Sequence, residues 1–148
     1  MAKIVVMAKG VRFQLTDEHV EWLRANGYPD ADYFFCKEDR SNPALIQCIE
    51  AIHATKQDVM DEAMALWREY RSKSNASREE QKVALNKLEN HCEKHSLSWA
   101  FGKFVVEDGF KVACYDETRF MAEIILSWTP LGDRMEEVVL TPYISNHN

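Results

Sequence analysis

Asp39-Arg40-Ser41-Asn42-Pro43-Ala44-Leu45-Ile46 opens the stretch around which the rest of this 148-residue chain is organised. Ser41 or Asn42 can cap the free amides of a helix start, and Pro43 fits the first turn, where its missing N–H costs nothing. Leu45, Ile49, Ile52, Val59, Ala63, Leu66 and Tyr70 then recur in steps of four and three, with Lys56 filling the one gap. This heptad spacing predicts one continuous helix with a single apolar seam. At 1.5 Å per residue, roughly 28 residues would extend about 42 Å.

Upstream, Lys3 to Ala8 is an apolar, β-branched run that reads as a buried strand, broken at Gly10. Thr16 is positioned to cap a short helix through Asn26. Asp17 and Glu18 suit its first turn, Gly27 its end, and Val20, Leu23 and Trp22 its inner face. Tyr28-Pro29-Asp30 is a turn, and Tyr33-Phe34-Phe35-Cys36 reads as a short aromatic strand leading into Arg40.

Downstream, Ser72 to Ala76 is a polar connection, and Ser77-Arg78-Glu79-Glu80 is a capping box. The helix it starts turns Ala84, Leu85, Leu88, Cys92 and His95 inward, making an antiparallel hairpin with the first. From Ser98 the period becomes extended. Trp99–Val106 and Phe110–Tyr115 flank Asp108-Gly109, a hairpin turn dipeptide. Phe120–Trp128 suits a strand or a short helix, and Glu137–Thr141 gives a last strand. The expected fold is α+β: a mostly antiparallel sheet, a short N-terminal helix and a long antiparallel helical hairpin. A single domain over 1–148 is expected, with the hairpin at about 43–95 and a β region at about 98–143.

The net charge of −6 argues against nonspecific nucleic-acid binding, which needs an excess of Lys and Arg. Cys36, Cys48, Cys92 and Cys114 lie far apart without a Cys-x-x-Cys and read as buried free thiols. No run approaches the roughly 18 apolar residues of a membrane span, and no signal-peptide core is present, so a cytoplasmic location is expected.

Three clusters are candidate sites. Arg40 with the amides after Ser41, Asn42 included, suits a phosphate, and Tyr33 and Phe35 would share one strand face beside it. The plainer alternative is a surface pair of Arg40 with Asp39 or Glu38, and core aromatics. Tyr115-Asp116-Glu117-Thr118-Arg119 brings a ribose-binding carboxylate and a phosphate-binding guanidinium near an aromatic, or is simply a polar turn. His91 and His95 have zinc-ligand spacing, yet Cys92 stands where a metalloprotease has its general-base Glu and no third ligand is marked. They read instead as helix-end charges. No nucleophile elbow, phosphate loop or Rossmann glycine pattern occurs, so the expectation is a binder rather than an enzyme, with no cofactor.

Three segments resemble a group of small phage-encoded proteins: Lys3-Ile4-Val5-Val6 through Gly10, Phe13, Leu15 and Thr16; Arg40, Pro43, Leu45 and Ile46; and Tyr115-Asp116, Glu123 and Trp128. The group is similar to the Thoeris anti-defence sponges, phage proteins that hold a cyclic ADP-ribose immune signal without cleaving it. The resemblance implies ligand contacts at Arg40, the aromatics and the polar residues after Tyr115. The shorter relatives carry His-Arg before the final Trp, where this chain has Leu126-Ser127, and Arg134 is the candidate substitute. The expected function is therefore a non-enzymatic phage protein in the host cytoplasm that sequesters a small cyclic nucleotide. Its site would be Tyr33, Phe35, Arg40, Asn42, Tyr115, Asp116, Arg119, Trp128 and Arg134. The rival is an acidic inhibitor of a host defence protein, a nucleic-acid mimic of the anti-CRISPR type. It rests on Glu107, Asp108, Asp116, Glu117, Glu123, Asp133, Glu136 and Glu137. The long seam, widened by Met60, Met64 and Trp67, further predicts a homodimer or higher homo-oligomer in which Lys56 sets the register.

Overall fold

The computed structural model describes residues 1–7, 12–100, 102–106, 109–132 and 134–144. The expected break at Gly10, the first residue of the Asp108-Gly109 dipeptide, and the carboxylates Glu107, Asp108 and Asp133 lie outside these residues. The fold is α+β, with four helices and six strands among the described residues, and every strand pairing is antiparallel. The strands form three separate two-stranded ribbons rather than one sheet. By its contacts the chain divides into two compact units, residues 1–52 with 110–148 and residues 53–109.

In the first unit, strand β1 (Ala2–Met7) pairs with β4 (Phe110–Tyr115), Ala2 opposite Tyr115 and Met7 opposite Phe110. Helix α1 (Asp17–Ala25) and the first ten residues of α2 (Pro43–Thr55) supply Val20, Leu23, Leu45, Cys48, Ile49 and Ile52 to a core with Val5, Phe13, Leu15 and Phe110. Strands β5 (Phe120–Trp128) and β6 (Arg134–Pro142) make the third ribbon, Phe120 opposite Pro142 and Trp128 opposite Arg134. Of the two readings open for 120–128, the strand is therefore the observed one.

In the second unit, α3 (Gln57–Ser72) and α4 (Arg78–His95) lie beside one another, Val59 near His91 and Lys73 near Gln81. Strands β2 (Leu97–Ala100) and β3 (Lys103–Val106) complete it, Leu97 opposite Val106. Met60, Ala63, Leu88, Leu97, Phe104 and Val106 form its core. Ser77 caps α4 as its box predicts, its Oγ accepting from the Glu80 amide at 3.2 Å.

Five expectations are corrected. The single helix from 43 to 70 is two helices, broken at Lys56 (φ −110°, ψ 8°). The gap in the heptad pattern is where one apolar stripe changes core: Leu45, Ile49 and Ile52 belong to the first, Met60 and Ala63 to the second. Tyr33–Cys36 is a series of turns, with Phe35 N–H bonded to Asp32 O and Lys37 N–H to Phe34 O. The Asp32 carboxylate accepts from the Phe34 amide at 2.9 Å, a local turn bond that outcompetes the β preference of an aromatic run. Trp99–Val106 is not one strand: Gly102, at φ +75°, lies between β2 and β3, and β4 pairs with β1 instead. Thr16 has the backbone of a cap, but its hydroxyl meets His19 Nδ1 at 2.5 Å rather than an α1 amide. The fully buried His19 ring takes that oxygen. Of the four free cysteines, only Cys48 is buried, and Cys114 is exposed.

Candidate functional site

The first unit contains a cavity of about 720 Å³. One wall is the inward-alternating side of the β5–β6 ribbon, Ala122, Ile124 and Leu126 with Arg134 and Glu136. Ile4 of β1 and Tyr115 at the end of β4 form another. The segment from Lys37 to Ser41, with Arg12 and Phe13, closes the rest.

Arg40 is fixed from several directions. Its carbonyl accepts from the Val5 amide at 3.0 Å, tying the segment to β1. Its guanidinium lies 4.0 Å from the centre of the Phe13 ring and is ion-paired with Glu136. Glu136 also accepts from the Met7 amide at 2.9 Å, and the two side chains are only 14% and 10% exposed. A buried pair of this kind is maintained by the added hydrogen bonds that satisfy its remaining polar atoms. Around it, Arg12, Lys37, Arg40 and Arg134 stand against Glu38, Asp39 and Glu136, so the cavity holds an excess of positive charge in an acidic chain.

Three of the nine sequence-chosen residues, Arg40, Tyr115 and Arg134, line this cavity together. The others are placed elsewhere. Tyr33 donates to Asp17, a bond that raises the phenol's pKa, and Phe35 packs on Tyr28 at 5.5 Å between ring centres. Asn42 caps α2, its Oδ1 accepting from the Ala44 amide at 2.9 Å. Asp116 accepts from the Thr118 hydroxyl at 2.6 Å and its amide at 3.0 Å, which hold its carboxyl below the ordinary range. Arg119 stacks on Phe120 at 5.8 Å. Trp128 is 68% exposed and carries Arg134 over its ring at 6.0 Å.

Sequence reasoning missed Arg12, Lys37 and Glu136 as site residues. Glu136 shares a strand face with Arg134 and Val138, but the run Met135-Glu136-Glu137-Val138 does not alternate, so nothing local marks that face as inward. Glu136 also removes itself from any acidic strip by being buried, and Asp116 is occupied by its own turn. His91 Nε2 lies 2.9 Å from Val59 O and the His91 and His95 rings are 4.7 Å apart. No group of three potential metal ligands occurs among the described residues. No helix among them is long and apolar enough to cross a membrane.

No family model matches the chain, and neither a curated protein nor a solved structure was found to be similar to it.

Proposed function

We propose that this chain is a non-enzymatic phage anti-defence protein that binds and sequesters a small cyclic nucleotide signal of the cyclic ADP-ribose type in the host cytoplasm. The observation that carries the reading is the cavity in which Arg40, Arg134 and Tyr115 meet. At about 720 Å³ it has the capacity of a small-ligand site. Fixed guanidiniums suit phosphate, and the aliphatic wall of Ala122, Ile124 and Leu126 suits the faces of a base or sugar. The resemblance of Arg40, Pro43, Leu45, Ile46 and Tyr115-Asp116 to phage sponge proteins supports the same reading.

Calorimetry against cyclic ADP-ribose isomers and cyclic oligonucleotides is the test. Saturable heat with one of them, and its recovery intact by chromatography, is the expected outcome. No heat with any of them overturns the proposal, and turnover makes the protein an enzyme. The rival reading as an acidic mimic is not carried further, because Glu136 and Asp116 are both engaged within the first unit.

The reading includes a homodimer, supported by the β5–β6 ribbon rather than by the α2–α3 stripe. Outside the ribbon no strand is paired with β5 among the described residues, and Met121, Ile125 and Val139 are exposed on the side away from the cavity. Open edges and exposed apolar area favour association. Antiparallel pairing of two β5 strands about Ile124 sets Glu123 of one copy opposite Ile125 of the other, so no carboxylate faces another.

A further inference from the structure

We infer that Glu136 reads a hydroxyl group in the cavity, and that the recognised part of the ligand is a sugar phosphate of low charge. This deepens the binding reading above and rests on it. Both hydrogen bonds to Glu136, from the Met7 amide and from Arg40, fall on Oε2. Oε1 receives no donor among the described residues, while the side chain is nine-tenths buried and lines the cavity. An ionised carboxylate oxygen only accepts, so it requires a donor from whatever occupies the cavity. The oxygens of an ionised phosphate ester offer none and are repelled by it, whereas a sugar hydroxyl supplies one.

The charges point to the same ligand class. Four cations line the cavity against three carboxylates, and one of the cations, Arg40, is already bound by Glu136. That balance suits the one or two phosphates of a small sugar phosphate better than the three or more of a larger cyclic oligonucleotide. Arg12 and Lys37 line the same cavity and can receive the anion, while the Phe13 ring lies 4.0 Å from the Arg40 guanidinium beside Glu136.

The test titrates the full chain with ribose 5-phosphate, methyl phosphate and cyclic ADP-ribose, at a pH where both phosphate esters are dianions, following backbone amide shifts by NMR. Ribose 5-phosphate is expected to bind more tightly than methyl phosphate by about tenfold, the ratio one hydrogen bond to a charged group supports. In Glu136→Gln the amide oxygen must serve Met7 and Arg40, which turns an NH2 toward the ligand. The ratio should then collapse while methyl phosphate binding holds or tightens. The exposed neighbour variant Glu137→Gln should keep it. A purely structural Glu136 would lower thermal stability without changing this selectivity.

Equal affinity for the two small ligands, no binding of ribose 5-phosphate at millimolar concentration, or an undiminished ratio in a folded Glu136→Gln protein overturns the inference. The wild-type ratio needs no substitution, so poor folding of the variant leaves it decisive. Cyclic ADP-ribose separates the two claims. If it binds while ribose 5-phosphate is not preferred over methyl phosphate, this inference fails and the sponge reading stands. If ribose 5-phosphate is preferred but no cyclic nucleotide binds, the reverse holds.

Discussion

Arg40 joins the stability of the first unit to its site. Truncating one member of a buried ion pair leaves the other charge without compensation, at about 3–5 kcal/mol. Arg40→Ala should therefore lower the unfolding free energy measured in urea by about that amount. Replacing both partners by apolar side chains, Arg40→Met with Glu136→Leu, should recover most of the loss while abolishing ligand binding. A double variant as unstable as the single one would show that the pair contributes more than charge compensation. Asp116 gives a pH prediction at the same scale. The Thr118 hydroxyl and amide depress its carboxyl pKa in the folded chain. It therefore adds stability above the ordinary carboxylate range, near pH 3.9, and that contribution fades as the pH falls through the lower folded value. Thr118→Val should move the Asp116 titration, followed by carboxyl NMR, back up toward the ordinary range. An unmoved midpoint would remove the hydroxyl as the cause.

Elements differ in how far their own residues decide them. Helix α4 begins at Ser77 because a hydroxyl, an amide three residues on and a polar first turn agree. Ser77→Ala should cost about 1 kcal/mol in denaturant unfolding. Helix α1 ends where its sequence says. Gly27 takes φ +98° and the Tyr28 amide returns to Leu23 O at 3.0 Å, a closure that a left-handed residue permits. Gly27→Ala should destabilise by about 1 kcal/mol for the same reason, with nothing crowding the added methyl. At Lys56 no proline or glycine stops the chain. The helix ends there because the side chains before and after it are buried in different cores, and packing outweighs the small propensity of any one residue.

At the scale of the molecule, the two cores make separate predictions. Phe110 is fully buried among Phe13, His19 and the α2 residues, its ring 5.3 Å from Phe13 and 5.2 Å from His19. Phe110→Ala should cost about 3–5 kcal/mol and expose the first unit to amide exchange. Met60 lies in the second core, so Met60→Glu should unfold that unit and leave the oligomeric mass of any surviving folded chain unchanged. Ile125→Glu should do the opposite, halving a dimeric mass in sedimentation while leaving the fold intact. If Met60→Glu releases folded monomers, the helical stripe rather than the β5–β6 ribbon is the interface.

What local chemistry controls can be read from the chain directly. The α+β class, the Ser77 cap, the Gly27 stop, β1 and the strand positions of 110–115 and 137–141 all follow from periodicity, caps and turn residues within a few positions. Gly102 carried a legible turn signal as well, overshadowed by the Asp108-Gly109 dipeptide. Arg40 was legible as a candidate residue because it precedes a helix start, and its partner was not. Glu136 lies 96 residues away, and only the packing of β6 makes its face inward. The pairing of β1 with β4 across more than 100 residues, and the division of one heptad stripe between two cores, were likewise decided by tertiary structure. Periodicity shows which side chains seek burial. It does not show against what, because burial is non-directional and its partner is chosen by the whole fold.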